Sequence, residues 1–356
     1  MTDMTGTITT STSDIDPRFV PRKSLATRLL SSRATWIFLL DLALIALFTA
    51  LSPNHVFFSW LNFKALMLSG TEALLLALGL ALMLGAGKFD LSLGANLVLS
   101  SVLGALTMVA LTNAGLAGDA GGTFLVILGG LVVCILGGIL MGAVNGALVA
   151  YFGINSLIAT LGTLGLATGL SLILTKNGLD ITGFPTALQA QFGLKTWGFL
   201  PLPAIVALLM ALLLWAVINY TRFGRHTLAI GSSTLAAERV GLQVKRHVLV
   251  LFLISGALAG LAGFVDLAQY QTTVLSGHAN DALQAVAAVV IGGTLLEGGR
   301  ISVIGTIWGV ALAVILQNGL VIIGVSSAYQ LMAVGGVLIL AVGLDRLSAQ
   351  RRASRS

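Results

Sequence analysis

Ionisable side chains are scarce in this sequence, so each one inside an apolar stretch is a candidate for chemistry. Lys88 and Asp90 stand between two apolar runs with only Phe89 separating them. A charge at mid-bilayer costs roughly 2.5–3.5 kcal/mol on insertion scales, so neither side chain can face lipid. Two readings are open. The glycine-rich break Gly85–Gly94 lines an aqueous cavity, with Asp90 and Ser92 capping the helix that follows, or it is a tight cytoplasmic turn whose charges sit in water. Asn145, Gln317 and Asn318 lie in or near apolar runs, where amides either bond neighbouring helices or line a polar path. Asp266 and Gln269, with His278, Asn280 and Asp281, read as an outer loop that receives an extracytoplasmic partner or is simply solvated. Asp41, Glu72 and Asp266 are too few, and too near the ends of their runs, to suit an ion-coupled carrier.

Other chemistry is missing. Gly87-Lys88 resembles the end of a phosphate-binding loop, but Leu82 stands where the first glycine belongs and Phe89 where a hydroxyl should hold magnesium. Four scattered histidines and the single Cys134 give no spacing for a metal site, and no serine is paired in sequence with a histidine and an acid. These patterns exclude nucleotide binding by that loop and give no support to hydrolytic catalysis.

The elements that carry these residues are membrane helices. Of 356 residues, 57% are hydrophobic and 9% charged, against about 25% charged in a soluble domain. Nearly uncharged runs of about 20 residues recur along the chain. The alternating short segments of a β-barrel do not. The 43 glycines suit close helix approach. Cys134 leaves no partner for an internal disulfide and reads as a small packing residue. The formal charge of +6 fixes orientation in such a protein and does not imply nucleic acid.

The fold class expected is an all-α polytopic membrane protein with about ten transmembrane helices, and not fewer than about eight. A polar tail occupies residues 1–33, the membrane domain 34–346, and a basic tail 347–356. Expected spans are 35–51, 72–87, 91–111, 124–149, 157–175, 202–218, 248–267, 282–295, 303–323 and 331–344, with 53–69 lying at the interface. The fourth is long enough to tilt, or to kink at Gly137-Gly138 and Gly142. The segments Gly85–Gly94 and Gly292–Gly305 echo each other faintly, each with one acid and one base, as a 5+5 inverted repeat with broken helices would leave them. Basic residues collect in both tails and in 221–246, which places all three in the cytoplasm.

That central loop, Thr221–Arg246, holds a short helix over Leu235–Val240. Ser232, Ser233 and Thr234 are its N-cap candidates and Gly241 its stop. Arg222, Arg225, Arg239, Lys245 and Arg246 fringe it, so it can dock on a soluble partner at the membrane surface.

Several stretches together resemble the ribose/xylose/arabinose/galactose-type permeases of ATP-binding-cassette (ABC) importers. Gly87-Lys-Phe-Asp-Leu-Ser-Leu-Gly94 is similar to the family's Gly-Gly-Ile-Asp-Leu-Ser-Val-Gly, and Asn155-Ser-Leu-Ile-Ala-Thr-Leu-Gly-Thr163 to its Pro-Phe-Ile-Ala-Thr-Leu-Gly-Thr. Gly224-Arg-His-Thr-Leu-Ala-Ile-Gly231 resembles its coupling segment; Val289–Thr294, Gly298–Thr306, Asn318-Gly-Leu320 and Leu344-Asp-Arg346 resemble its C-terminal signature. The chain departs at Lys88-Phe89, where Gly-Ile is usual, and at Leu235-Ala-Ala237, which lacks the usual neighbouring glutamate; Glu238-Arg239 also differs.

The resemblance implies an importer permease for a monosaccharide or related polyol. Its partners would be cytosolic ABC ATPase subunits, a second permease copy (the same chain or a different one), and a periplasmic or lipid-anchored sugar-binding protein, all at the bacterial inner membrane. ATP and magnesium would be bound by the ATPase, with no cofactor in this chain. Arg225, Ser233, Thr234, Leu235, Ala236, Ala237, Glu238, Arg239 and Gly241 would contact the ATPase; Asp90, Ser92, Asn96, Asn145, Thr160 and Asn318 are the translocation-path candidates. Amino acids or nucleosides are the alternative cargo, and a stand-alone ion-coupled carrier or a membrane enzyme are the alternative classes.

Overall fold

The computed structural model describes residues 33–336 apart from 179, 327, 331 and 334. Within them the chain forms α1 (Arg33–Leu51), α2 (Trp60–Gly85), α3 (Leu93–Asn113), α4 (Ala120–Ala150), α5 (Ser156–Leu174) and α6 (Leu202–Tyr220). There follow α7 (Arg222–Ser232), α8 (Thr234–Arg239), α9 (Val244–Tyr270), α10 (Asp281–Ile291) and α11 (Val303–Ile322). A two-residue hairpin, β1 (Thr196–Trp197) against β2 (Leu200–Pro201), closes the loop ahead of α6.

Six of these helices start where a polar side chain accepts a backbone N–H: Ser59, Asp119, Asn155, Thr221, Ser233 and Ser302. Such caps satisfy donors that would otherwise be stranded at a helix end. Eight helices, α1–α6, α9 and α11, are long and apolar enough to cross a bilayer.

The expected eighth span is different. α10 has 11 residues and is therefore about 16 Å long, roughly half the 30 Å hydrocarbon thickness. It enters the bundle without crossing it. The expected tenth span, 331–344, falls largely outside the described residues. One further boundary is corrected. The expected second span, 72–87, begins twelve residues earlier, because residues 60–69 are the opening of α2, which starts at Trp60 behind the Ser59 cap. α4 runs through Gly137, Gly138 and Gly142 as one helix of 31 residues, the long span expected.

Those glycines serve packing instead. α2, α3 and α9 are the buried helices, and α4 lies along α9. A Cβ on Gly142 would stand 3.0 Å from Phe252 C, and one on Gly256 would stand 3.2 Å from Gly142 Cα. The two backbones touch, as small residues in membrane helices allow. Leu136, Leu140, Ile158, Leu166 and Leu209 point outward from α4, α5 and α6, an apolar exterior that suits lipid and not water.

Candidate functional site

The polar residues gather at three places. The first is the α7–α8 end. Ser233 Oγ accepts from Ala236 N at 3.2 Å, so α8 starts there. It ends with Gly241 N on Glu238 O at 2.9 Å and Leu242 N on Ala237 O at 3.1 Å. This paired closure needs a left-handed residue, which Gly241 supplies at φ +83. Ala237 faces the protein, while Leu235 is 60% and Val240 78% exposed. Arg225, Thr234, Ala236, Glu238 and Arg239 are exposed beside them, with Arg222, Lys245 and Arg246. Sequence reasoning found α8 but missed α7, whose signal was the Thr221 cap accepting from Gly224 N at 3.3 Å.

Both glycine-rich breaks meet at this end. Gly299 N donates to Gly85 O at 3.0 Å, and Gly231 of α7 lies against Gly85 and Gly299 with no room for a Cβ. The sequence echo therefore becomes a contact.

The second place is the break between α2 and α3. Here Lys88 and Asp90 part company, for Lys88 is half-exposed while Asp90 is buried. Ser92 donates to Asp90 Oδ1 through its N–H at 3.0 Å and its hydroxyl at 2.6 Å. Asn145 Nδ2 donates to Ser92 Oγ at 2.8 Å, and Thr163 Oγ1 to Asn145 Oδ1 at 2.6 Å. Phe89 N donates to Ser156 Oγ and Leu91 N to Thr160 Oγ1. Asn96 Nδ2 reaches Gly138 O at 3.2 Å. Ser92 makes no side-chain cap on α3, contrary to expectation, because its hydroxyl is committed to Asp90. The chain of bonds fastens the break to α4 and α5.

The third place was not legible as a unit. Asp266 on α9, Glu72 half-way along α2, and His278 ahead of α10 are 0%, 7% and 8% exposed. His278 Nε2 lies 3.1 Å from Asp266 Oδ1 and Nδ1 lies 2.7 Å from Asp281 Oδ2. Burial disfavours the imidazolium, but the hydrogen bonds to Asp266 and Asp281 outweigh it and raise the His278 pKa to about 10. The expected solvated outer loop is thus folded inward: Gln269 is also buried and donates to Leu68 O at 3.3 Å.

His278 borders two cavities. One of about 230 Å³ is faced by Leu91, Gly94, Thr168, Ser171 and Leu275. The other, about 330 Å³, is faced by Glu72, Tyr270, Asp281, Gln317 and Asn318. Among the path candidates, Asn318 reaches the larger cavity; Asp90, Ser92, Asn96, Asn145 and Thr160 border neither.

The family described as branched-chain amino acid transport system / permease component matches residues 62–342, a range that takes in nearly all of α2 and every later helix through α11. The chain belongs to this permease family. It is a multi-pass transport subunit and not an enzyme. The D-allose transport system permease protein AlsC of Escherichia coli (strain K12) is 34% identical over 304 residues, covering 85% of this chain and 89% of that one. The ribose import permease protein RbsC of Bacillus subtilis (strain 168) is 40% identical over 273 residues, 76% and 80% of the two chains. The galactose/methyl galactoside import permease protein MglC of Haemophilus influenzae is 30% identical over 317 residues, 87% and 93%. No solved structure matches this permease.

Proposed function

We propose that this permease is the membrane subunit of an ABC importer that carries a monosaccharide or related polyol into the bacterial cytoplasm. Its similarity to permeases named for allose, ribose and galactose supports the cargo class. A neutral, hydroxyl-rich solute needs amides, hydroxyls and apolar walls, and Tyr270, Gln284, Gln317 and Asn318 around the larger cavity supply that chemistry.

The observation that carries the reading is α8: a capped, exposed helix too short to enter lipid, presenting Leu235 and Val240 among cations. It suits a groove on a cytosolic ATPase, with Arg225, Ser233, Thr234, Ala236, Glu238, Arg239 and Gly241 around the contact. In this arrangement 221–246 and both tails face the cytoplasm. ATP and magnesium belong to the ATPase, a second permease copy completes the path, and a binding protein delivers solute from outside. Asp90, Ser92, Asn96, Asn145 and Thr160 act here by holding the α2–α3 break in place beside the path.

Co-purification of an ATPase with the full chain tests this. The expected result is loss of the ATPase on Gly241→Asp and on deletion of Leu235–Val240, with the bundle still folded. Uptake driven by a proton or sodium gradient with no ATPase present would overturn it.

A further inference from the structure

We infer that Glu72, Asp266 and His278 form a site for one divalent transition-metal ion of the zinc type, with Asp281 orienting the histidine. The site goes beyond the importer reading and does not depend on which solute is carried. It was invisible in sequence because its members come from α2, α9 and the loop before α10, separated by 194 and 12 positions, and a lone histidine carries no ligand spacing.

Geometry is the first support. One carboxylate oxygen each from Glu72 and Asp266 and one nitrogen of His278 lie within 4.8 Å of one another. Some point then lies within about 2.8 Å of all three atoms, so less than about 1 Å of side-chain movement reaches zinc bonding distances of about 2.0–2.2 Å. The pair Asp266 Oδ1 and His278 Nε2 already stands 3.1 Å apart, close to the edge formed by two ligands about 2.1 Å from one ion.

The second support is independent of that spacing. Glu72 Oε1 and Asp266 Oδ2 are buried and accept no hydrogen bond. A buried carboxyl group in this position either keeps a proton or takes a donor or a cation, because uncompensated charge away from water is strongly unfavourable, and a metal ion that displaces the proton would fill both unpartnered acceptor positions. Charge counting agrees. Asp281 is the first residue of α10, where the helix dipole favours an anion, and it also holds His278. That leaves Glu72 and Asp266 as two adjoining buried carboxyl groups, each with an unpartnered oxygen, which a bound divalent ion would satisfy together.

Outer contacts complete the case. His278 Nδ1 is held by Asp281 Oδ2 at 2.7 Å. A carboxylate on the far nitrogen is the arrangement that fixes a metal-bound imidazole and leaves Nε2 to the ion. A proton on Nε2 and the ion occupy the same place. The 330 Å³ cavity bordered by Glu72, His278 and Asp281 offers an entry path and room for water as a fourth ligand. Imidazole with carboxylates favours zinc or manganese over calcium or magnesium, which prefer oxygen alone.

The test is metal content and melting temperature of the purified full chain in detergent. After zinc loading and gel filtration, the wild type should retain about one zinc per chain. EDTA should lower its melting temperature by several degrees and zinc should restore it. Glu72→Gln and His278→Gln should each retain no zinc and melt at a temperature indifferent to EDTA. Two results overturn the proposal: wild-type protein that holds no zinc or manganese and melts identically with EDTA, or a stoichiometric ion that survives Glu72→Gln. The latter would place the ion elsewhere, for instance at the neighbouring rings of His226 and His247.

Discussion

The seam between α4 and α9 makes the sharpest stability prediction. A methyl on Gly138 would stand 2.8 Å from Gly260 N and 2.9 Å from Gly260 Cα, and would meet Gly256 O as well. All three neighbours are backbone, so no rotamer change makes room. The helices must part by about 0.5–1 Å, which forfeits a quarter to a half of each atom–atom attraction along the seam. Over roughly 20–40 atom pairs worth about 0.1–0.2 kcal/mol each, Gly138→Ala should cost about 0.5–4 kcal/mol. Gly165→Ala on α5 is the control, since nothing lies within 4 Å of its would-be methyl. There the helix-propensity gain should stabilise by about 0.5–1 kcal/mol. Gly256→Ala meets Gly138 from the opposite side. One separation accommodates both methyls, so the double variant should cost less than the sum of the singles. Thermal melting in detergent reads all four. A Gly138→Ala protein that melts with the wild type, or shifts in the same direction as Gly165→Ala, would show that the two backbones do not touch at this seam.

Thr163→Val removes the donor to Asn145 Oδ1 at nearly constant volume. It should destabilise by about 1–3 kcal/mol in the same melting assay, with Thr163→Ser recovering most of the loss. Replacing Arg225 and Arg239 together by Ala should reduce stimulation of the partner ATPase more than it reduces delivery of solute by the binding protein. Equal effects in a reconstituted assay would mislocate the docking surface. Lys88→Leu should leave membrane insertion and yield unchanged, because the Lys88 side chain is half-exposed and the one bond recorded for this residue, N–H to Met83 O at 2.9 Å, is made by backbone that the substitution keeps.

Length and apolarity made most of the helices legible, and local hydrogen bonding made their ends so. Ser233 and Gly241 marked α8 within a residue because caps depend on neighbours in sequence. α10 misled the eye, since an apolar stretch of 282–295 reads alike whether it ends in helix or in the turns at Gly292 and Gly293. The α2–α3 break was recognised, but not the fate of its charges. Asp90 is buried because Asn145 and Thr163 arrive from α4 and α5 to hold Ser92, and no local pattern predicts that meeting. Glu72 was misread most. It stood at the edge of the expected span and lies half-way along α2, because the helix begins twelve residues earlier at Trp60.

One packed route joins α8, the proposed docking helix, to the larger cavity, and it is made of backbone. α8 follows α7 directly; Gly231 of α7 rests on Gly85 and on the Gly298-Gly299 turn. That turn lies in the connection between α10 and α11, and α10 carries Asp281, Gln284 and Ala285 on the cavity wall. With no side chain at Gly231 to deform, a displacement of α7 must move the break, the turn or both. Gly231→Ala would set a methyl 2.5 Å from Gly299 N and against Gly85 O, forcing α7 off this support. The expected outcome is a permease that still binds its ATPase, because α8 is untouched, but whose ATP hydrolysis no longer drives uptake. Uptake per ATP equal to the wild type would show that motion reaches the cavity by another path, the direct contact of α9 with α8 being the candidate.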